Sequence, residues 1–231
     1  MSSTTRRDHR PSTRPGVLRQ VAAMLLAWAL GACDAPTAAR PDFAYNPTAL
    51  SGGVLYRWPS GQRVRVWADD DAAPGLDLGR AVRTAIAAWN AEPRFAEFEL
   101  TVVSDPRDAN IIVFDRSRPL PVVPGRCAFD ARGAVGYTYF CGDGDRAERL
   151  ALASGGRGNA SVVIRVDRAL IADQPGLEAI VAHEFGHALG IGAHSGESGD
   201  LMFGLPRVAV PSPRDSKTLQ FVLGAPPDLL L

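Results

Sequence analysis

The sequence predicts an α+β domain behind an export leader. Three observations carry this. Five short stretches alternate polar and apolar residues or are continuously apolar, which suits strands, while three longer stretches space their apolar residues as helices do. The chain's 231 residues suit one domain plus a leader. Hydrophobic residues make up 46% and charged residues 22%, enough for a real core.

Residues 1–32 read as a signal peptide of the lipoprotein type. Arg6, Arg7, Arg10, Arg14 and Arg19 make a basic start, and Val21 to Leu30 is an apolar run of ten. Such a run is too short for a stable bilayer span and has the length of a signal-peptide core. Leu30-Gly31-Ala32-Cys33 resembles the lipobox of bacterial lipoproteins, which implies lipidation of Cys33 after cleavage. The expected address is the bacterial cell envelope, with the protein exported and lipid-anchored. The alternative is a secreted protein cleaved near Ala32 or Ala35. Residues 33–56, rich in Pro and small side chains, read as a tether; 57–224 is the domain and 225–231 a tail.

Formal charge is zero. Without residues 1–32, which carry five Arg and one Asp, 20 basic and 24 acidic side chains remain, a net −4. That balance excludes a nucleic-acid footprint. Of the 25 basic residues only Lys217 is Lys, which reads as coding bias rather than phosphate recognition. A monomer is expected.

The elements follow in order. Arg63-Val64-Arg65-Val66-Trp67 alternates as the core of a first strand, within Trp58–Trp67. Leu78, Val82, Ala85, Ile86 and Trp89 keep a helical period over 78–90, with Pro93 as the stop. Trp89 is read as core packing. Phe98–Val103 is a second strand. Ala109–Phe114 is a third, apolar enough to be central. Residues 115–126 read as an exposed Pro- and Arg-rich loop. Gly133–Phe140 is a fourth strand, 142–160 a long loop, and Ser161–Val166 a fifth strand. Leu177, Ile180, Val181 and Ala188 supply the buried face of a second helix, entered through Asp173-Gln174-Pro175-Gly176. Ser212-Pro213-Arg214-Asp215 starts a third helix, with Ser as N-cap, Pro at the first position and an acid in the first turn; it runs to about Leu223 with Gly224 as its cap.

The second helix carries the chemistry. His183-Glu184-Phe185-Gly186-His187 is an HExxH motif, with two imidazoles one turn apart on one face and both able to reach one zinc ion. Glu184, beside the first ligand, can serve as base toward a water. Gly190 suits the helix end because it tolerates positive φ. The chain can then bring back His194. Three ligands with an open position describe a catalytic rather than a structural zinc. Three of the chain's four His lie in these twelve residues, and the fourth, His9, lies in the leader. Glu197 and Asp200 are the alternative third ligands.

The run His183–Gly190, followed by His194 and by Asp200-Leu201-Met202-Phe203, resembles the metzincin metalloproteases and their matrixin-like branch. Their pattern is HExxHxxGxxH plus a Met-turn. The third His stands one residue later here, at 194 rather than 193. The resemblance is specific over 183–202 and schematic over 57–224. It implies a twisted, mostly parallel five-stranded sheet with an antiparallel edge strand, an active-site helix and a C-terminal helix. It also implies one catalytic zinc on His183, His187 and His194, Glu184 as general base, Met202 as an apolar floor, and Leu205-Pro206 in the wall of a specificity pocket. A peptide or protein substrate would pair with the edge strand. Phe203 stands where a Tyr donor could follow the Met, so no side-chain oxyanion donor is assigned.

Matrixin propeptides use a thiol to keep zinc latent, but no such motif is present, and Cys127 and Cys141 read instead as a disulfide permitted by export. Closing their loop would contribute roughly 3 kcal/mol. Matrixin loops often bind calcium. Asp143 and Asp145 could contribute to such a site, but two carboxylates are few for Ca²⁺, and a solvated loop is the favoured reading. Two other functions compete with the endopeptidase: a non-catalytic, zinc-containing surface-binding lipoprotein, and an HExxH hydrolase with a carboxylate third ligand.

Overall fold

In the computed structural model the described residues are 43–69, 75–92, 97–118, 134–140 and 161–231. The leader, Cys33, Cys127, Cys141, Asp143 and Asp145 lie outside them. Seven strands form: β1 Tyr56–Arg57, β2 Gln62–Ala68, β3 Phe98–Val102, β4 Ile111–Asp115, β5 Gly136–Phe140, β6 Val162–Val166 and β7 Leu229–Leu230, of which β2 to β6 correspond to the five expected and the two-residue β1 and β7 do not. The helices are α1 Leu78–Asn90, α2 Gln174–Ala188 and α3 Pro213–Gly224.

Each helix starts on a side-chain cap. Asp77 accepts from the Arg80 amide at 2.7 Å and Asp173 from the Gly176 amide at 2.8 Å. Ser212 and Asp215 form a capping box at the start of α3. These caps satisfy amides that have no partner inside the helix.

Five strands pair in the order β3-β2-β4-β6-β5. The first four run parallel and β5 runs antiparallel to β6. The result is an α+β domain with a mostly parallel sheet and one antiparallel pair at its edge. β4 is buried along its whole length, as its apolar run predicts. It extends to Asp115, whereas the composition of 115–126 predicts an exposed loop from that residue on. Asp115 is buried because Arg168 meets it at 2.5 Å.

Strand alternation splits the core. Val64, Val66, Ile111, Val113, Ile164 and Val166 face α1 and α2 in the main cluster. Ile112, Phe114, Tyr139 and Val163 build a smaller cluster with Trp67 on the other face. Trp89 is fully buried between α1 and α2, and its indole N–H donates to the Ala182 carbonyl at 2.8 Å. Trp58 donates to the Ala188 carbonyl at 2.9 Å, satisfying one of the orphan acceptors at the end of α2.

The ends of the domain differ from the tether and tail that were expected. Residues 43–56 are folded onto the domain: Phe43 packs edge-on to Phe221, the Leu50 amide donates to Gly192 at 2.7 Å, and Leu55 and Tyr56 are buried. β1 and β7 pair in parallel, and the Leu231 amide donates to Arg57 at 2.9 Å. Two-residue strands carry no periodicity, so only tertiary contact reveals them. Among the described residues no helix is long and apolar enough to cross a membrane.

β5 ends the sheet. The Asp167 amide donates to the Val135 carbonyl at 2.8 Å, and the pairing continues through Tyr137↔Arg165 and Tyr139↔Val163. Antiparallel ladders alternate, so Gly136, Thr138 and Phe140 turn their main-chain groups to the open edge.

Candidate metal centre

α2 is buried on nearly every side, and its centre holds the motif. The helix closes at Leu189, after which Gly190 takes φ +108°. The Ile191 amide reaches Gly186 O at 3.0 Å and the Gly190 amide reaches His187 O at 2.9 Å, the paired bonds of a Schellman motif. A Cβ at Gly190 would stand 2.2 Å from the Tyr56 carbonyl oxygen, so conformation and packing both require glycine there. The chain tightens again where Gly192 N–H donates to Gly190 O at 3.0 Å, a three-residue turn just before His194.

His183, His187 and His194 come together. His187 Nε2 lies 3.1 Å from His183 Nε2 and 3.3 Å from His194 Nε2. Among the described residues these three form a group whose ligand atoms all lie within 4.8 Å of one another. The other ring nitrogens fix the chemistry. His183 Nδ1 faces the Leu201 carbonyl at 2.8 Å and His187 Nδ1 faces the Ile191 carbonyl at 2.6 Å. A carbonyl only accepts, so each Nδ1 carries the proton and each Nε2 points a lone pair at the other. Burial pushes His183 down to about 4 and His187 to about 3, and it lowers His194 as well, so the rings are neutral at neutral pH. Facing lone pairs are unfavourable unless a cation lies between them. Nitrogens about 2.05 Å from a tetrahedral ion would stand roughly 3.3 Å apart, which the observed spacing fits. The site can therefore hold a metal ion.

Glu184 is buried beside the three rings. Burial pushes it up to about 7 before any cation's charge is counted, and the Thr138 hydroxyl acts the other way. Thr138 Oγ1 lies 2.7 Å from Glu184 Oε2.

Met202, fully buried, lies against Gly186 of α2. A Cβ on Gly186 would meet its sulfur at 2.2 Å, so the missing side chain at 186 makes room for the methionine. Asp200–Phe203 closes as a turn, with the Phe203 amide on Asp200 O at 3.2 Å. Asp215, fully buried, takes the Leu201 amide at 2.8 Å, the Met202 amide at 3.3 Å, the Ser212 amide at 2.8 Å and the Tyr45 hydroxyl at 2.7 Å. Burial first, then the charge and hydrogen bond of Asp215, push the Tyr45 hydroxyl well above its usual range.

The alternative third ligands do not approach. Asp200 accepts from the Ser195 hydroxyl, from Ser212 at 2.6 Å and from Arg214 at 2.9 Å. Burial works to raise its pKa, but those three bonds outweigh it and hold the carboxyl below its ordinary value. Glu197 is exposed. The sequence reading missed Thr138, Tyr45 and the full role of Asp215. Only Thr138 left a signal: it falls two residues from Gly136 and two from Phe140, on one face of β5.

A cleft of about 690 Å³ opens over the centre. It is lined by the three His and Glu184, by β5 from Gly136 to Thr138, by Leu205 and Pro206, and by Leu50 and Ser51 from the N-terminal segment. No model of a known protein family and no curated protein sequence matches the chain.

Proposed function

We propose that this chain is a zinc-dependent endopeptidase of the matrixin-like metzincin type, exported and tethered to a membrane through lipidated Cys33. The observation that carries the reading is the convergence of three neutral imidazoles beside a buried carboxylate in an open cleft. The buried Met202 against Gly186 and the edge of β5, open among the described residues, are consistent with it.

His183, His187 and His194 would hold the zinc, which supplies polarisation of a carbonyl oxygen and acidification of a water. The residues of the chain do the rest. The Leu201 and Ile191 carbonyls keep His183 and His187 in the tautomer whose Nε2 is free. Main-chain groups of Gly136, Thr138 and Phe140 can pair with an extended peptide laid along the open edge. Glu184 takes a proton from the attacking water and delivers it to the amine nitrogen as the C–N bond breaks, leaving the water's oxygen in the new carboxyl group.

The test is casein cleavage by purified residues 34–231, with and without chelator, alongside Glu184→Ala. Wild type should contain one zinc and lose activity on chelation. The variant should keep its zinc and cleave at least about 100-fold more slowly. A variant that cleaves at the wild-type rate would remove Glu184 from the mechanism.

A further inference from the structure

We propose that Thr138 is a positioning residue that couples substrate pairing on β5 to the aim of Glu184. The inference rests on the endopeptidase reading above and goes beyond it, because it gives one strand two jobs.

The side chain of Thr138 points to the helix face of the sheet. Its hydroxyl has a single proton, and the nearer acceptor is the Glu184 carboxylate at 2.7 Å rather than the Glu184 main-chain carbonyl at 3.0 Å. Gly136, two residues earlier and on the same face, brings the strand close: a Cβ there would lie 2.7 Å from Glu184 Oε1 and 2.8 Å from Ile180. A residue with no side chain and a residue with a donor thus hold one carboxylate from the same strand. The main chain of Thr138 meanwhile faces the edge that is open among the described residues, where its N–H and C=O point away from β6. A peptide registered on that edge fixes the residue that fixes the base. Orientation of a reacting group in advance of the chemistry shows in turnover rather than in binding.

The experiment compares Thr138→Val, which keeps the shape and removes the donor, with Thr138→Ser, which keeps the donor. Casein cleavage, bound zinc and thermal unfolding are read for both and for wild type. Thr138→Val is expected to lower kcat at least about tenfold with KM within about twofold, zinc content and Tm being those of wild type. Thr138→Ser is expected to recover most of the loss. Wild-type kcat in Thr138→Val, or Thr138→Ser as slow as Thr138→Val, overturns the proposal while the endopeptidase reading stands. A loss confined to KM, or a loss of zinc or stability in proportion to the loss of rate, overturns it too, since the residue would then be structural. Zinc-loaded wild type without chelator-sensitive cleavage overturns the endopeptidase reading itself and this inference with it.

Discussion

The floor and the roof of the cleft are built on opposite principles. The floor is held by buried charge. Asp215 accepts four hydrogen bonds and Asp200 three, and together they hold the turn Asp200–Phe203, the loop carrying His194 and the start of α3 in one arrangement. The roof is one five-residue strand, paired on a single side among the described residues and reaching Glu184 through one hydroxyl. A ligand set must not move when substrate arrives, whereas a surface that receives a strand must keep its main chain unpaired. The tightest hydrogen bonding lies on the side of the Asp200–Phe203 turn, and the open strand edge lies on the other side of the three imidazoles.

Asp215→Ala tests this contrast hardest. It leaves buried amides and a hydroxyl without their acceptor, and should cost about 3 kcal/mol of unfolding free energy in urea titration. Thr138→Val, in the roof, should cost under about 1 kcal/mol. Equal costs would abolish the distinction. Next in size is His194→Ala, expected to weaken zinc binding at least about 100-fold in competition with a chromogenic chelator, with Glu197→Ala within about threefold of wild type. The reverse ranking would hand the third position to a carboxylate. Gly186→Ala should cost about 2 kcal/mol, because the new methyl meets the buried Met202 sulfur and Trp89. A neutral result would mean that the floor repacks freely.

The smallest effect is a pH dependence. Asp115 and Asp200 both hold folded pKa values below their ordinary one. At Asp115, burial again acts upward and is outweighed by the bonds from Ser117 and Arg168. A lowered carboxyl stabilises the fold above its unfolded pKa, about 3.9, and that stability is lost as pH falls through the folded value. Asp200→Asn should therefore flatten the acid limb of a Tm-against-pH curve below about pH 4 and leave its neutral slope unchanged. An unchanged acid limb would mean that Asp200 adds nothing through its charge.

The HExxH motif and its return were legible in the sequence because they are local. His183, Glu184, His187, Gly190, His194 and Met202 fall within twenty consecutive residues, and a helix followed by a tight return brings them together. The strands were legible because a half-buried strand must alternate. The roof was half legible: β5 showed as a strand, but a threonine in an alternating run does not announce that its hydroxyl meets a glutamate 46 positions later. Tyr45 lies 170 residues from Asp215 and sits in a stretch whose composition reads as linker. The short pair β1–β7 hid for the same reason, since pairing across the whole chain leaves no local mark.

Two of the chain's four tryptophans donate to carbonyls of α2, Trp89 at its middle and Trp58 at its end. The helix that bears the ligands thus carries an intrinsic optical probe at two depths. Emission from these two indoles should shift to the red when α2 parts from α1 and from the segment before β2. It should be quenched when a coloured ion such as cobalt occupies the three imidazoles. Assembly of the centre can be followed in the unlabelled protein by light alone.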